Sequence, residues 1–264
     1  MSLRVSVLLL LGWAMIWSNP VSAEGDVEQD TADSSNAQVA PVELPSLGTI
    51  FDGFYRENGG RLAHDNLRSY RIVGKLERDG NSFPLWIFRK HPNRFRIVQG
   101  SADGDRLVFG YDGSVFWRGL QRQGRMIAVE PVESFNPLEL AFEADFYTPL
   151  ITLRRLARDL EVVGVEEIRG RKAFIVEGRM QNKATIRVWV DSKIYQELYL
   201  DFISEDKRFR VEFSDHRKVG DFWFAHSILS VSNEGDSYSH ITVSEVTLNP
   251  GLFDTFFAPD FTPQ

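Results

Sequence analysis

Between Tyr70 and Trp117 the chain runs through short stretches rich in Val, Ile, Phe, Tyr and Trp, each cut off by a turn signal. Asp79-Gly80-Asn81, Pro92-Asn93, Asp103-Gly104 and Asp112-Gly113 stand between them. Gly, Asn and Asp tolerate the left-handed backbone that tight hairpins need, so the pattern predicts an antiparallel β meander. Connections this short cannot carry the crossovers of a parallel sheet. Within 83–90, Leu85 and Ile87 point to one face and Trp86 and Phe88 to the other. Within 94–98, Phe95 and Ile97 share a face opposite Arg94 and Arg96. The stretch is expected to form a wall, apolar on one side and cationic on the other, that encloses something greasy.

The later half repeats the theme. Strands are expected at 162–168, 172–178, 185–191, 196–202, 208–213, 222–225, 227–232 and 239–246. Val188 and Val190 share one face of the third, and Phe209, Val211 and Phe213 one face of the fifth. Residues 118–125 are polar and contain Gly, which predicts a longer loop, and Asp215-His216 is expected to be turn chemistry.

Helical signals flank the meanders. Ser46 can cap a helix whose Leu47, Ile50, Phe51, Phe54 and Tyr55 share one face, with Gly59-Gly60 as its stop. Asn136-Pro137 opens a second helical region carrying Phe142 and Phe146. Pro149 should break it, with helix resuming over 151–160. The fold class expected is mainly β (α+β): one unclosed, strongly curved antiparallel β-barrel of about eleven strands, with helices covering the open side.

The start of the chain is expected to be an address. Arg4 precedes an apolar core from Val5 to Trp17, and Val21-Ser22-Ala23 is a small-residue cleavage signature. Residues 1–23 therefore read as a secretory signal peptide cut after Ala23. Residues 24–47 hold six acids and no base and read as an acidic disordered tether. Residues 48–264 are left for one domain. The chain has no Cys, which removes disulfides, thiol chemistry and N-acylation of the chain itself, and a periplasmic location is expected.

Charge narrows the partners. Of 37 acids six lie in the tether, and of 30 bases one is Arg4, leaving 31 against 29 in the body. That near balance offers no bulk cationic surface for phosphates, so no nucleic acid partner is expected. Chemistry is equally sparse. No G-x-S-x-G, P-loop, G-x-G-x-x-G or H-E-x-x-H is present, and no two of His64, His91, His216, His226 and His240 are spaced i, i+4. No catalytic residues, metal or cofactor are expected, and the chain is not expected to be an enzyme. A hydrolase with dispersed residues would be revived by titratable groups converging in one cleft.

The order of several weak signals carries a resemblance. Gly59-Gly60 ends the first helix. Leu67-Arg-Ser-Tyr70-Arg-Ile-Val-Gly74, His91-Pro92 with Phe95-Arg96, and Gly110-Tyr-Asp-Gly113-Ser-Val-Phe-Trp117 follow. Then come Glu166-Glu-Ile-Arg-Gly170-Arg-Lys-Ala-Phe-Ile-Val176, Val188-Trp-Val-Asp191, Val246-Thr-Leu-Asn249-Pro, and Phe253, Phe256 and Phe257-Ala-Pro259. From about Thr49 to Pro259 the chain resembles the outer-membrane lipoprotein-sorting superfamily, the LolA/LolB-like periplasmic carriers. The resemblance implies an unclosed barrel with a helical lid and a cavity for acyl chains.

The function expected is binding and carriage of lipid or lipoprotein acyl chains, with a membrane-bound donor or acceptor protein as a further partner. The alternative is a periplasmic sensor or scaffold that binds an envelope protein without moving lipid. The cavity residues expected are Leu85, Ile87, Phe95, Ile97, Val188, Val190, Phe209 and Val211 from strands, and Phe54, Phe142 and Phe146 from helices. Ordinary packing between sheet and helices is the other reading of each.

Overall fold

The computed structural model describes residues 43–259 except 102–103, 134, 136, 182, 206–207 and 233–237. The expected leader and most of the tether lie outside the described residues. The elements run α1 Leu47–Glu57, α2 Gly60–Asn66, β1 Ser69–Arg78, β2 Asn81–Lys90, β3 Arg94–Gly100, β4 Arg106–Tyr111, β5 Phe116–Arg122 and β6 Arg125–Pro131. They continue with α3 Pro137–Ala144, α4 Pro149–Leu156, β7 Asp159–Ile168, β8 Arg171–Arg179, β9 Thr185–Asp191, β10 Glu197–Ile203, β11 Arg208–Val219, β12 Phe222–Ser232 and β13 Tyr238–Leu248.

The thirteen strands form one antiparallel sheet in the order β6-β5-β4-β3-β2-β1-β13-β12-β11-β10-β9-β8-β7. Two meanders are joined where β1 pairs with β13, from Tyr70 opposite Leu248 to Arg78 opposite Ser239. The sheet is not closed: β6 and β7 are its two edges. The chain between those edges is the α3–α4 segment, so the helices span the gap that closure would have filled.

Several sequence expectations need correction. Residues 118–125 are not a loop: β5 extends to Arg122, Gln123-Gly124 turns with φ of 48° and 82°, and β6 follows. Residues 222–225 and 227–232 are one strand, β12, and His216 lies inside β11, beyond Asp215 with φ 52°. The helix expected over 151–160 is α4, which opens with Pro149 at its first turn and ends at Leu156. Proline lacks the N–H that this position leaves unused, so it starts α4 as well as breaking the helical run after Ala144.

Ser46 caps α1, its hydroxyl accepting from Thr49 N at 3.1 Å. An 11-residue helix is marginal alone. Ile50, Phe51 and Phe54 are buried against β8–β11 and α4, and each such side chain adds about 1.5–3 kcal/mol. Packing, more than propensity, therefore holds α1. Gly178 lets α4 approach β8: a Cβ there would lie 2.5 Å from Leu153 Cδ1.

Inner-face side chains form two main clusters. Val176, Ile186, Val188, Val190, Leu200, Phe202, Phe209 and Val211 pack with α1 and α4. Leu76, Leu85, Ile87, Phe95, Ile97, Phe109 and Phe116 pack with Ala144, Ile241 and Val243. The outer face of β2–β6 is not the cationic surface that was expected. Trp86, Phe88, Val98, Val108 and Trp117 form a cluster there with Met126 and Val129. The chain's end covers part of it: Trp117 Nε1 donates to Phe257 O at 2.9 Å, Arg96 Nη1 donates to Phe256 O at 2.8 Å, and Phe256 meets Phe88 edge-on at 4.9 Å.

Candidate functional site: a mixed cavity under the helical cover

Between the inner face of the central strands and the α3–α4 segment lies a cavity of about 200 Å³. The sheet contributes Ile72 from β1, Ile87 and Arg89 from β2, Phe213 and His216 from β11, Phe222 to Ala225 and Ile228 from β12, and Ile241 and Val243 from β13. Phe142 and Glu143 of α3, residues 145–148, and Pro149 and Thr152 of α4 line it from the cover. Phe54 and Asn58 at the end of α1, with His64 and Leu67, form a third side. These residues bring four expected ones together at the cavity: Phe54, Ile87, Phe142 and Phe146. The other seven, Leu85, Phe95, Ile97, Val188, Val190, Phe209 and Val211, are not on its wall; they are packed into the two clusters.

The wall is less greasy than the sequence implied. Arg89 shares the inward register of Leu85 and Ile87 and is 7% exposed. Its Nη2 donates to Glu143 Oε1 at 2.6 Å, and its Nη1 donates to the carbonyls of Glu143 and Asp145. The guanidinium therefore ties β2 to the end of α3. Burial raises the Glu143 carboxyl above its usual range, with Arg89 pulling the other way. Asp145 is buried and accepts from Arg155 of α4 at 2.8 Å and 3.2 Å.

Glu197, at the start of β10, is buried and accepts from Leu150 N at 3.1 Å. Thr148, the residue before α4, makes no side-chain cap to that helix. The orphan N–H at the helix start is thus met by a carboxylate from the sheet. Burial raises this carboxyl as well, against the hydrogen bond from the Leu150 N–H.

Three lining residues carry nitrogens that lack partners. Both ring nitrogens of His64 are buried without a hydrogen bond, and the residue is only 7% exposed. Its ring sits among Tyr55, Phe222, Phe54 and Tyr147 at centroid distances of 5.0, 5.3, 5.6 and 6.2 Å. Burial lowers its pKa, with Asp65 opposing. Nδ1 of His216 is likewise without a partner; burial and then Arg171 bring this imidazole down to about 4, against the Glu197 backbone. Trp223 is the third such residue, through Nε1, while its backbone N donates to Asn58 Oδ1 at 2.9 Å.

Sequence reasoning missed Arg89, Glu143, Glu197, His64, His216 and Trp223. Arg89 left a signal, because an arginine in phase with Leu85 and Ile87 must face inward. The partners of Arg89 lie 54 and 56 residues away, and no local pattern reports such a pairing.

The titratable groups converge in one place, but each carboxyl is engaged and no serine lines the cavity. Among the described residues no group of three or more His, Asp or Glu is placed to hold a metal ion. No described helix is long and apolar enough to cross a membrane.

No family model matches the sequence, and no curated protein matches it. Solved structures do share its fold. A domain from Vibrio parahaemolyticus named for outer membrane lipoprotein sorting is 12% identical, with 79% of this chain and 94% of that chain covered and a TM-score of 0.57. A DUF1329 family protein from Desulfovibrio piger is 16% identical over 80% of this chain and 97% of that chain, TM-score 0.59. A LolA superfamily protein from Nitrosomonas europaea is 10% identical over 83% of this chain and all of the other, TM-score 0.55. At such identities the likeness is one of fold: the unclosed half-barrel with a helical cover is LolA-like.

Proposed function

We propose that this chain, with its LolA-like half-barrel, binds the acyl chain of a lipid or lipoprotein between the sheet and the α3–α4 cover. The observation that carries this reading is the partly open cavity at that seam, walled by Phe54, Phe142, Phe146, Ile87, Ile241 and Val243. Shielding an acyl chain from water is worth about 0.8 kcal/mol per methylene, so a carrier in an aqueous compartment needs such a space.

The cavity volume sets how binding proceeds. A 150 Å³ apolar cavity is known to take a benzene-sized guest, and pockets for drug-sized ligands span roughly 300–1,000 Å³. About 200 Å³ therefore holds one segment of an acyl chain. A longer chain enters as α3 and α4 move off the sheet, leaving the hydrogen-bonded strands intact. In this reading residues 1–23 export the chain, the acidic segment after Ala23 tethers the domain, and a membrane-bound protein delivers or receives the lipid. The lining role is proposed for Phe54, Ile87, Phe142 and Phe146.

A second reading is favoured by one observation: most of the inner face is packed side chain to side chain. In that reading the domain is a sensor or scaffold for an envelope protein. Native mass spectrometry of protein purified from the periplasm, with lipid extraction, separates the two. Co-purifying acyl species support the carrier. Clean apo protein that refuses added lipid overturns it and favours the scaffold.

A further inference from the structure

We infer that β6 is a dimerisation edge, at which two copies of this chain pair β6 against β6 in antiparallel register, Arg125 of each opposite Glu130 of the other. The inference does not depend on what the cavity holds.

An unclosed sheet has two edges, and each leaves a row of backbone N–H and C=O groups that another strand can use. Here the edges are β6 and β7, and among the described residues no strand pairs with the outer side of either. The two are guarded differently. β7 carries Asp159, Glu161, Glu166 and Glu167 and no base. A second β7 laid against it would set carboxylates near carboxylates, and like charges across a ladder destabilise it. β6 has one Arg and one Glu, with Met-Ile-Ala-Val between them and Pro only at its last position. Nothing in that composition repels a strand.

The order of these residues is its own complement. In an antiparallel pair centred between Ile127 and Ala128, Arg125 meets Glu130, Met126 meets Val129 and Ile127 meets Ala128. Each pair occurs twice, because the contact is two-fold. The faces agree with this register. Arg125 and Glu130 stand opposite Arg122 and Arg118 of β5, on one face, while Met126 and Val129 pack with Trp117 on the other. The ladder with β5 passes from Met126 to Ala128, so Ile127 is the bulged residue; it has no partner on β5 and is 48% exposed. The two-fold axis falls beside it, and pairing covers that exposed side chain. Glu130 already meets Arg118 at 2.5 Å, and its carboxylate has acceptor capacity for a second guanidinium.

A ladder over residues 125–130 is smaller than a standard interface, so the dimer is weak and depends on concentration. Sedimentation velocity of the purified chain from about 5 to about 500 μM should show monomer passing to dimer. Arg125→Glu should weaken dimerisation about tenfold, since it turns two attractive pairs into two repulsive ones. Glu130→Arg should do the same. An equimolar mixture of the two variants should dimerise as the native chain does, because each then faces its opposite charge in the other. Urea midpoints of both variants check that the fold is intact. A chain that stays monomeric over the whole range overturns the inference. So do a dimer that neither reversal weakens, a mixture that does not recover, and species larger than the dimer, which a closed two-fold contact does not build.

Discussion

Glu197 on β10 accepts the backbone N–H of Leu150 at 3.1 Å, so the sheet itself holds the first turn of α4. This joins the cover to the wall at the rim of the cavity. Glu197→Ala should leave that N–H without its carboxylate and lower stability by about 1–3 kcal/mol. Glu197→Gln keeps an acceptor and should cost less. Because burial raises the Glu197 pKa, the native residue's advantage over Gln should be fullest below the ordinary carboxylate value of 4.5 and shrink as pH rises through the raised one. Urea unfolding of both variants across that range checks the sign.

Arg89 and Glu143 form the second tie between wall and cover. Arg89→Met leaves the partly buried Glu143 without its cation and should destabilise by about 1–3 kcal/mol. Adding Glu143→Leu should recover most of that loss, since the carboxylate that needed compensation is gone. A double-mutant cycle by chemical denaturation measures the coupling. Additive losses would show that the pair is not a unit.

His216 should make the fold sensitive to acid. Its pKa is 6.5 unfolded and about 4 folded, so its contribution is full above 6.5 and is lost as pH falls toward 4. The loss can reach about 3 kcal/mol by linkage, less whatever solvent screening removes. His216→Gln should flatten this part of the stability curve. Denaturation midpoints of native and variant protein between pH 7 and 4.5 supply the comparison, and parallel curves would refute the assignment.

Gly178 sets how closely α4 can lie on β8. Gly178→Ala places a methyl group 2.5 Å from Leu153 Cδ1 and should destabilise by roughly 1–3 kcal/mol through overpacking. Leu153→Ala in the same background should relieve part of it. If the double variant is no more stable than Gly178→Ala alone, the clash is not the cause.

Much of the sheet was readable from period-two alternation. β2, β3, β9 and β11 place Leu85, Ile87, Phe95, Ile97, Val188, Val190, Phe209 and Val211 on the inner face, and their phase is local information. β6 was invisible for a physical reason. It is an edge strand, mostly exposed from Arg125 to Pro131, so no alternation is imposed on it. The cavity was hidden for another. Its position depends on which inward side chains the cover fails to reach, a property of the link between Ala144 and Pro149 rather than of any strand. Hence only Phe54, Ile87, Phe142 and Phe146 of the expected set stand on the wall. His64 and His216 carried no signal at all, since a single histidine reads the same in a core as in a site.

The seam between β1 and β13 has a consequence for assembly. Tyr70 and Leu248 pair across almost the whole domain, so the ladder at the middle of the sheet has the longest loop to close. A ribosome delivers β1 early and β13 last. Until then β1 shows an unpaired backbone edge, beside strands already able to form hairpins, that any stray strand could occupy. The centre of the finished molecule is thus the final ladder to zip during synthesis, and the nascent first meander is the stage most in need of a chaperone.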